Sequence, residues 1–443
     1  MTHASDGDEI DPISLEILRN QLKGIAEEME QVLIRGASSP NVKERQDCST
    51  ALFDDTGWMI AQAEHIPVHL GAMLEAVATV REHDPNPGDA YILNDPFTGG
   101  THLPDVTVVS TIAPQDEIIG YAVTRAHHAH VGGSTPGSMP AGATEIYQEG
   151  IRIPAIRLVD AGNLNEQLFN TILTNVRNSA ERRADLQAQL AANDRGEERL
   201  GELLETHGRD RLQAAFTAVL DYSRERIEAE IADIPAGIYR ATDVLESDGV
   251  TEEDFPIVAT VTVDARTITI DFDGTAEQVA GKMNAPPAVA TSAVYFVVRS
   301  VTDPEIPPNQ GCYDPITVKV SAGTLLNPPP SAAVVGRNIE TSQRVTDIVL
   351  QAFGEALPEE VPAQGQGTMN NTIIGSRTGD GFTYYETIGG AGAGPETDGM
   401  DGVQLGMRNT LNTPIETLEA EYPLSVDRYA LRSGSGGDGK HRG

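Results

Sequence analysis

The first long run of regularly spaced hydrophobic positions, with polar residues between them, predicts an amphipathic helix. Asp11 and Pro12 supply a helix cap and a residue suited to the first helical turn. Apolar residues then recur in three- and four-residue steps, at Leu15, Leu18, Leu22, Ile25, Met29 and Val32. This spacing places them on one stripe, so we predict a helix that packs against the core.

Residues 47 to 130 change to short apolar runs separated by turn residues, which is typical of β-strands. We predict a hairpin over 51–61 and strands over 90–94, 106–112 and 118–124. The strand over 90–94 runs into a loop that contains Gly99 and Gly100, where backbone can turn sharply or approach a ligand. The last of these strands leads into a segment from Arg125 to His130.

The middle of the chain has a helical composition. Residues 163–232 are rich in Leu, Ala, Glu, Arg and Gln, and they predict long helices with breaks at 193–196 and at Thr206–Gly208. We expect His207 at a helix end, where it complements the helix dipole. Strands return from 236, with a predicted hairpin over 258–272, and a helix is predicted from Glu340 to about 356.

These elements predict a mixed α+β fold. We expect a β-rich core that carries a metal site, a long-helix segment, and a second β-rich region towards the C-terminus. The corresponding divisions are 1–162, 163–235 and 236–443. With 443 residues and 39% hydrophobic content, the chain is long enough to bury a substantial core.

Charge and cysteine content narrow the classes of function. A net charge of −35 opposes binding to nucleic acid and to anionic membranes, and it favours adaptation to a salty cytoplasm over an ordinary acidic protein. Two cysteines, Cys48 and Cys312, exclude a disulfide framework and fit a reducing compartment. The polar N-terminus carries no signal peptide pattern, and no stretch approaches a membrane span, so we expect a cytoplasmic protein.

Histidine is concentrated in one part of the chain, where seven of the ten histidines lie between positions 65 and 130. Imidazole and carboxylate together suit divalent first-row metals. His102 and Asp105 are three residues apart, and a His-His-Ala-His segment ends the predicted strand at 127–130. If that segment is extended, His128 and His130 share one face and His127 takes the other, and the spacing leaves open which face meets Asp105.

Other polar residues are candidates for supporting roles. His65 and His69 flank Pro67, and if extended they point to the same side, as ligands, acid–base groups or supports for ligands. Asn94 and Asp95 form either a turn or a polar pair that faces the same cavity. The sequence contains no Walker motif and no Gly-x-Ser-x-Gly elbow, so nucleotide binding by this chain is not expected.

Several long strings together resemble the hydantoinase B/5-oxoprolinase family, along nearly the whole chain. They lie at 41–45, 61–71, 94–105, 125–130, 145–150, 340–344, 367–371, 384–390 and 409–416. The family includes N-methylhydantoinase, 5-oxoprolinase and related lactamases, and the large subunits of acetone-type carboxylases.

The resemblance implies a division of labour between two subunits. A hydantoinase A-type partner binds ATP and phosphorylates the carbonyl oxygen of the substrate, and the B-type subunit completes the reaction. In the carboxylase relatives a manganese ion sits on a His-x2-Asp pair and a downstream His, which match His102, Asp105 and His127 here. The resemblance therefore implies a divalent metal, manganese or zinc, in a hetero-oligomer.

The family pattern also leads to a hypothesis for the reaction, which is metal-assisted hydrolysis of an activated lactam or hydantoin. In it, His128 or His130 acts as general base or proton donor, with Asp95 and Asn94 positioning the substrate. The alternatives are ATP-dependent carboxylation of a ketone and a non-catalytic assembly subunit. Two departures are that His130 stands where the family often has Asp, and that the family usually continues beyond the final glycine-rich string, so we expect a shortened chain.

Overall fold

The computed structural model describes residues 10–63, 65–375, 382–386 and 388–443; within 382–386, it describes only the Tyr385 side chain. Glu64, Tyr384, Glu386 and Thr387, which belong to the strings above, therefore lie outside the described side chains. The helices of this part of the chain are α1 (Pro12–Gly36), α2 (Pro40–Lys43), α3 (Ala72–Arg81), α4 (Glu166–Thr174), α5 (Ser179–His207), α6 (Arg209–Asp233), α7 (Pro287–Ser300), α8 (Gln310–Tyr313), α9 (Ser342–Ala356) and α10 (Ile415–Glu421).

The strands fall into two larger sheets and two small ones. In chain order they are β1 (Cys48–Asp54), β2 (Met59–Ala63), β3 (Ala90–Leu93), β4 (Asp105–Ile112), β5 (Gly120–His127), β6 (Ile156–Asp160), β7 (Asn163–Leu164), β8 (Gly237–Leu245), β9 (Phe255–Asp264), β10 (Thr267–Asp271), β11 (Ile316–Lys319), β12 (Asn371–Gly375), β13 (Phe382–Glu386), β14 (Gly389–Gly390) and β15 (Asp401–Val403). The predicted mixed α and β fold is confirmed.

The first sheet has the strand order β2-β1-β5-β4-β3-β6-β7, and all its pairs are antiparallel. Side chains alternate between its two faces. On β5, Tyr121 and Val123 join the core shared with α3 and α7, whereas Ala122 and Ala126 face the core shared with α1 and α5. Both faces are covered by helices, which explains why β5 is buried along its whole length.

Helix α1 begins as predicted, because the Asp11 side chain accepts hydrogen bonds from the backbone N–H groups of Ile13 and Ser14. The predicted hairpin is β1 and β2, and the predicted strands over 90–94, 106–112 and 118–124 correspond to β3, β4 and β5. His207 is the last residue of α5, followed by Gly208 at φ 77°, so the predicted helix end is confirmed there.

The predicted break at 193–196 is wrong, because α5 continues through it. Asn193 turns its side chain to the sheet and donates to the Val108 carbonyl at 3.1 Å and to Ser110 Oγ at 3.0 Å. Gly196 lies against α1 and β5, where a Cβ atom would come within 2.7 Å of Met29 Sδ. These two residues therefore lie within a continuous helix and contact the neighbouring sheet and α1.

The second sheet has the order β11-β10-β9-β8, with β10 and β11 parallel and the other pairs antiparallel. The hairpin predicted over 258–272 is β9 and β10. Side chains of this sheet, of α7 and α9, and of the α3 face of the first sheet form one hydrophobic cluster. The predicted division at 235/236 stays a prediction.

A π-helical turn, Arg337–Thr341, leads directly into α9. The helix predicted from Glu340 thus begins as an α-helix at Ser342.

Within the described ranges, no helix combines the length and the apolar character that a membrane crossing requires.

Candidate metal centre

The candidate site lies where β4 begins and β5 ends. Asp105 and His127 are direct partners in the register of these two antiparallel strands. Both point to the α3 face of the sheet, because they share the parity of Val109 and Val123. His102 precedes β4 by one turn, in which the Asp105 N–H donates to the His102 carbonyl at 2.9 Å. Strand pairing and one tight turn therefore bring the three side chains together.

His102, Asp105 and His127 are at most 4% exposed, and each offers a ligand atom within 4.8 Å of the other two. His127 Nδ1 lies 3.1 Å from His102 Nε2 and 3.2 Å from Asp105 Oδ1. Donor atoms that bind one cation at about 2.1 Å lie roughly 3.0–3.4 Å from each other, so the observed separations fit a shared ion. Neutral nitrogen and anionic oxygen donors suit zinc or manganese.

The electrostatics of the group also match what a metal requires. Burial lowers the pKa of His102 to about 3, so its imidazole is neutral at pH 7. Burial would raise the pKa of Asp105, but the neighbouring His102, His127 and His69 hold that pKa well below its usual range. Ligands must be deprotonated to bind a cation, and both groups satisfy that condition.

His69 and Thr101 are among the residues that contact Asp105 from outside the three-residue group. His69 Nε2 lies 3.6 Å from Asp105 Oδ2, and its Nδ1 is 3.0 Å from Ser49 Oγ. Thr101 donates its hydroxyl hydrogen to Asp105 Oδ2. The carboxylate is thus held by side chains around it, as in metal sites where outer partners orient the ligands.

A small cavity of about 30 Å³ adjoins the group, and its walls are mostly apolar. His102, Asp105 and His127 line the cavity, and the other polar groups come from Asp47, His69, Asn338, Arg408 and Thr410. The apolar walls are formed by Ile66, Val68, Met139, Ile339, Met369 and Met407. A cavity of this volume has room for a water molecule beside the ligand group.

The sequence analysis did not identify five polar residues of this site, namely Asp47, Thr101, Asn338, Arg408 and Thr410. Asn338 lies in the π-helical turn and donates to Asp105 Oδ2 at 3.0 Å. It stands two residues before the Glu340–Arg344 string, which was the available signal. Nothing in the sequence pattern pairs position 338 with position 105.

The structure separates His65 from His69. The segment between them is a 3-10 turn, Pro67–His69, because Pro67 fixes a helical backbone angle at its start. His69 lies at the site, whereas His65 Nδ1 faces Glu30 Oε1 at 3.8 Å. Burial, and then Glu27, raises the pKa of Glu30 to about 7.

The structure does not bring His128 or His130 to the three-residue group. His128 points to the α5 face of the sheet, where its Nε2 lies 2.9 Å from Gln189 Oε1. His130 lies beyond the strand end, with Nδ1 at 3.0 Å from Ser138 Oγ and Nε2 at 3.0 Å from Arg177. Burial lowers the pKa of each to about 4, so both are neutral at pH 7.

Asn94 and Asp95 stabilise the loop that carries His102. Asn94 donates to the carbonyls of Leu103 at 2.8 Å and Ile151 at 2.9 Å, and its Oδ1 accepts from the Ile153 N–H at 2.7 Å. Asp95 forms an ion pair with Arg152 at 2.8 Å. Neither residue lines the cavity beside the ligand group.

Comparison with known proteins gives matches along the whole described fold. The sequence profile of the hydantoinase B/oxoprolinase family matches residues 11–443. An uncharacterised protein of Methanocaldococcus jannaschii is 41% identical, and the alignment covers 98% of this chain and 77% of that protein. The putative B component of a D-/L-hydantoinase from a Pseudomonas species is 33% identical, with 99% and 77% covered.

The chain spans a smaller part of other relatives. 5-oxoprolinase 1 of Arabidopsis thaliana is 39% identical over 98% of this chain, which corresponds to only 36% of that protein. Among solved structures, the ATP-dependent caprolactamase of Pseudomonas jessenii is 30% identical, with a TM-score of 0.90 over 98% of this chain and 77% of that chain.

Acetone carboxylase shares the fold, with a TM-score of 0.86 at 20% identity over 98% of this chain and 61% of that chain. The caprolactamase and the 5-oxoprolinase are named for hydrolysis of cyclic amides. The profile match over residues 11–443 and the 33% identical hydantoinase component show that this chain belongs to the hydantoinase B/oxoprolinase family.

Proposed function

We propose that this chain is the B-type component of an ATP-dependent cyclic amidase, which opens a lactam, hydantoin or 5-oxoproline ring. The observation that carries the proposal is the buried group His102, Asp105 and His127 beside a small apolar cavity. It lies in a chain whose relatives include a 5-oxoprolinase, the putative B component of a hydantoinase, and a caprolactamase.

Activation of the substrate falls to a partner. Amide resonance makes the ring carbonyl a poor electrophile, and phosphorylation of its oxygen removes that resonance. The sequence contains no Walker motif, which agrees with an A-type partner that binds ATP. An activated intermediate would hydrolyse in bulk water, so the two subunits form a complex that transfers it directly.

His102, Asp105 and His127 would hold the divalent metal, zinc or manganese. When bound, such an ion lowers the pKa of a coordinated water towards ~7 and supplies hydroxide at neutral pH. Asp105 is held as a carboxylate by the imidazoles around it, and His102 stays neutral because it is buried. The chain's own contribution is thus a preformed set of deprotonated donors.

The acid–base role belongs to His69 in this proposal. Its Nε2 faces Asp105 Oδ2 at the cavity, and Ser49 holds its other ring nitrogen at 3.0 Å. Nε2 can take the proton that the attacking water loses and pass it to the ring nitrogen as the C–N bond breaks, so the imidazole ends neutral. The proposal therefore moves this role from His128 and His130, whose ring nitrogens face Gln189, Ser138 and Arg177.

The test is co-purification with the A-type partner, followed by assay of ATP-coupled ring opening of 5-oxoproline, hydantoin and caprolactam. We expect His102→Ala with Asp105→Ala to abolish product formation. His83→Ala is the matched control, because His83 is exposed and its ring stacks on Tyr91. Full activity in the double variant, or full turnover by the partner alone, would contradict the proposal.

The fold shared with acetone carboxylase motivates one further arm of the same assay. Acetone, bicarbonate and ATP are supplied in place of the cyclic amide. A bicarbonate-dependent product in this arm, with no ring opening in the first, would assign the chain to ketone carboxylation.

A further inference from the structure

Arg337 is a buried cation that the candidate metal centre does not use. It begins the π-helical turn Arg337–Thr341 and is 0% exposed. Its Nε, Nη1 and Nη2 atoms are all buried, and none has a hydrogen-bond partner among the described residues. A buried guanidinium without partners is costly, because it has lost the water that would otherwise solvate its charge. The position of this side chain therefore needs an explanation.

Arg125 is a second buried cation, on the same side of the first sheet as His127. It lies on β5 two residues before His127, so the two side chains share the α3 face. Its Nε donates to Thr107 Oγ1 at 2.8 Å and its Nη2 donates to the Gly99 carbonyl, which fixes the guanidinium. Its Nη1 is buried and, within the described ranges, has no hydrogen-bond partner. Arg125 and Arg337 therefore both carry buried N–H groups that the described chain leaves unused.

The carboxyl group that acts most strongly on Arg337 does not hydrogen-bond to it. Among the charged neighbours of Arg337, Glu149 has the largest effect. Glu149 Oε1 accepts from the N–H groups of Val334 at 2.7 Å and Val335 at 3.0 Å, and its buried Oε2 has no partner in the described part of the chain. Burial raises the pKa of Glu149 to about 7, so this group is only partly ionised at pH 7. Burial lowers the pKa of Arg337 to about 9, which leaves it a cation at pH 7.

The surroundings of the two cations indicate which ligand would complete them. Asn338 and Ile339, which follow Arg337, line the cavity beside the three-residue group. Arg125 and Arg337 repel each other, and a divalent metal at the three-residue group would add positive charge. The planar fork of N–H groups on a guanidinium matches the oxygens of a phosphate. In the proposed reaction, the phosphoryl group that activates the ring carries such oxygens.

We propose that Arg337 and Arg125 form a buried oxyanion site, which binds the phosphoryl group of the activated cyclic amide while the ring faces the three-residue group. This inference rests on the proposed function and extends it to a site for the intermediate. Access runs through the turn that carries Asn338 and Ile339, since both residues line the cavity. The two cations stabilise the phosphoryl oxygens in a place that bulk water does not reach.

The first measurement is thermal unfolding of the metal-free full chain in potassium phosphate. KCl at the same ionic strength is the reference, because a chain with a net charge of −35 responds to any salt. At 100 times its dissociation constant, phosphate should raise the melting temperature of the wild type by roughly 3 °C above the reference. No rise above the reference would overturn the oxyanion site.

Variants separate binding from the general effect of phosphate, which also stabilises proteins because it is excluded from their surface. Arg337→Met removes the charge and keeps an unbranched side chain. It should unfold in KCl at the wild-type temperature or higher, because a buried cation without a partner is lost, and most of the added rise in phosphate should disappear. Arg337→Lys keeps a cation without the fork, so phosphate affinity should fall by about 10-fold, which keeps the test decisive if Arg337→Met does not fold.

Arg182→Met is the matched control, because Arg182 is also buried but forms ion pairs with Asp185 at 3.1 Å and Glu181 at 3.2 Å. Its melting temperature in KCl should fall, and its added rise in phosphate should equal that of the wild type. A wild-type rise in both Arg337→Met and Arg337→Lys would overturn the inference.

The second measurement uses the complex with the A-type partner and distinguishes the phosphorylated substrate from free phosphate. In Arg337→Met we expect ATP hydrolysis to continue, while ring-opened product per ATP falls by about 10- to 100-fold, the loss typical of charge-assisted hydrogen bonds. Unchanged product per ATP would overturn the assignment to the intermediate and leave a site for free phosphate. A phosphate-specific rise in a wild-type complex that opens no ring would overturn the proposed function and leave the oxyanion site.

Discussion

Replacing Asp105 by Asn is the sharpest single test of the candidate metal centre. The substitution keeps the size of a side chain that is 1% exposed, but it removes the anionic charge of the three-residue group. Asp105 contacts His127 Nδ1 at 3.2 Å, His102 Nδ1 at 3.3 Å and Asn338 Nδ2 at 3.0 Å. The variant therefore changes the donor set and leaves the packing nearly unaltered.

The expected size of the effect follows from linkage between metal binding and unfolding. A cation at 100 times its dissociation constant stabilises the folded chain by about 2.7 kcal/mol. An unfolding entropy of about 2.1 cal/mol/K per residue converts this into a rise of roughly 3 °C in the melting temperature for 443 residues. A 100-fold weaker site at the same concentration gains only about 0.4 kcal/mol, or less than 1 °C.

The assay is thermal unfolding of the metal-free protein with and without Zn²⁺ or Mn²⁺. Asp89→Asn is the matched control, because Asp89 is an equally buried carboxylate that accepts backbone hydrogen bonds and pairs with Arg157. The control should keep the metal-dependent rise even if its melting temperature falls. The same rise in Asp105→Asn as in the wild type would refute the assignment of Asp105 as a ligand.

Three further outcomes are expected. Asn94→Ala removes three hydrogen bonds from the loop that carries His102; it should lower the free energy of unfolding in urea by about 3 kcal/mol, and no change would contradict that role. The raised pKa of Glu30 means that the folded chain binds its proton more tightly than the unfolded chain, so stability should fall by up to about 3 kcal/mol as pH rises from about 4.5 to 7. The fall should be smaller by about this amount in Glu30→Gln across the same pH range, where Glu149 and Asp347, with pKa values raised to about 7 and about 6, still contribute. Finally, a net charge of −35 predicts that added KCl raises the melting temperature, and a melting temperature independent of KCl would contradict adaptation to salt.

Local patterns in the sequence predicted some of the elements and missed others, such as α3, which lies in a region predicted as strands and turns, and α7. The capped stripe of α1, the hairpin of β1 and β2, and the strand pair β9–β10 were all predicted, because each depends on neighbouring residues. The break at 193–196 failed for a physical reason. Asn and Gly disfavour an isolated helix, but here Asn193 bonds to β4 and Gly196 allows α1 and the sheet to approach.

The composition of the candidate site also depends on tertiary contacts that local patterns do not contain. The two-residue alternation of a strand predicts that His127 and His128 face opposite sides. Only the register of β4 against β5 decides which of them meets Asp105. That register is a property of the paired strands, and no single-strand pattern contains it.

Asn338 is the site residue that the sequence was least able to predict, because 233 positions separate it from Asp105. Its contact depends on the docking of the π-helical turn against the first sheet, which in turn depends on the shared core of α7, α9 and both larger sheets. Short-range patterns can therefore identify the histidine and aspartate donors of such a site. The residue that contacts those donors from outside is supplied by tertiary packing, which short-range patterns do not contain.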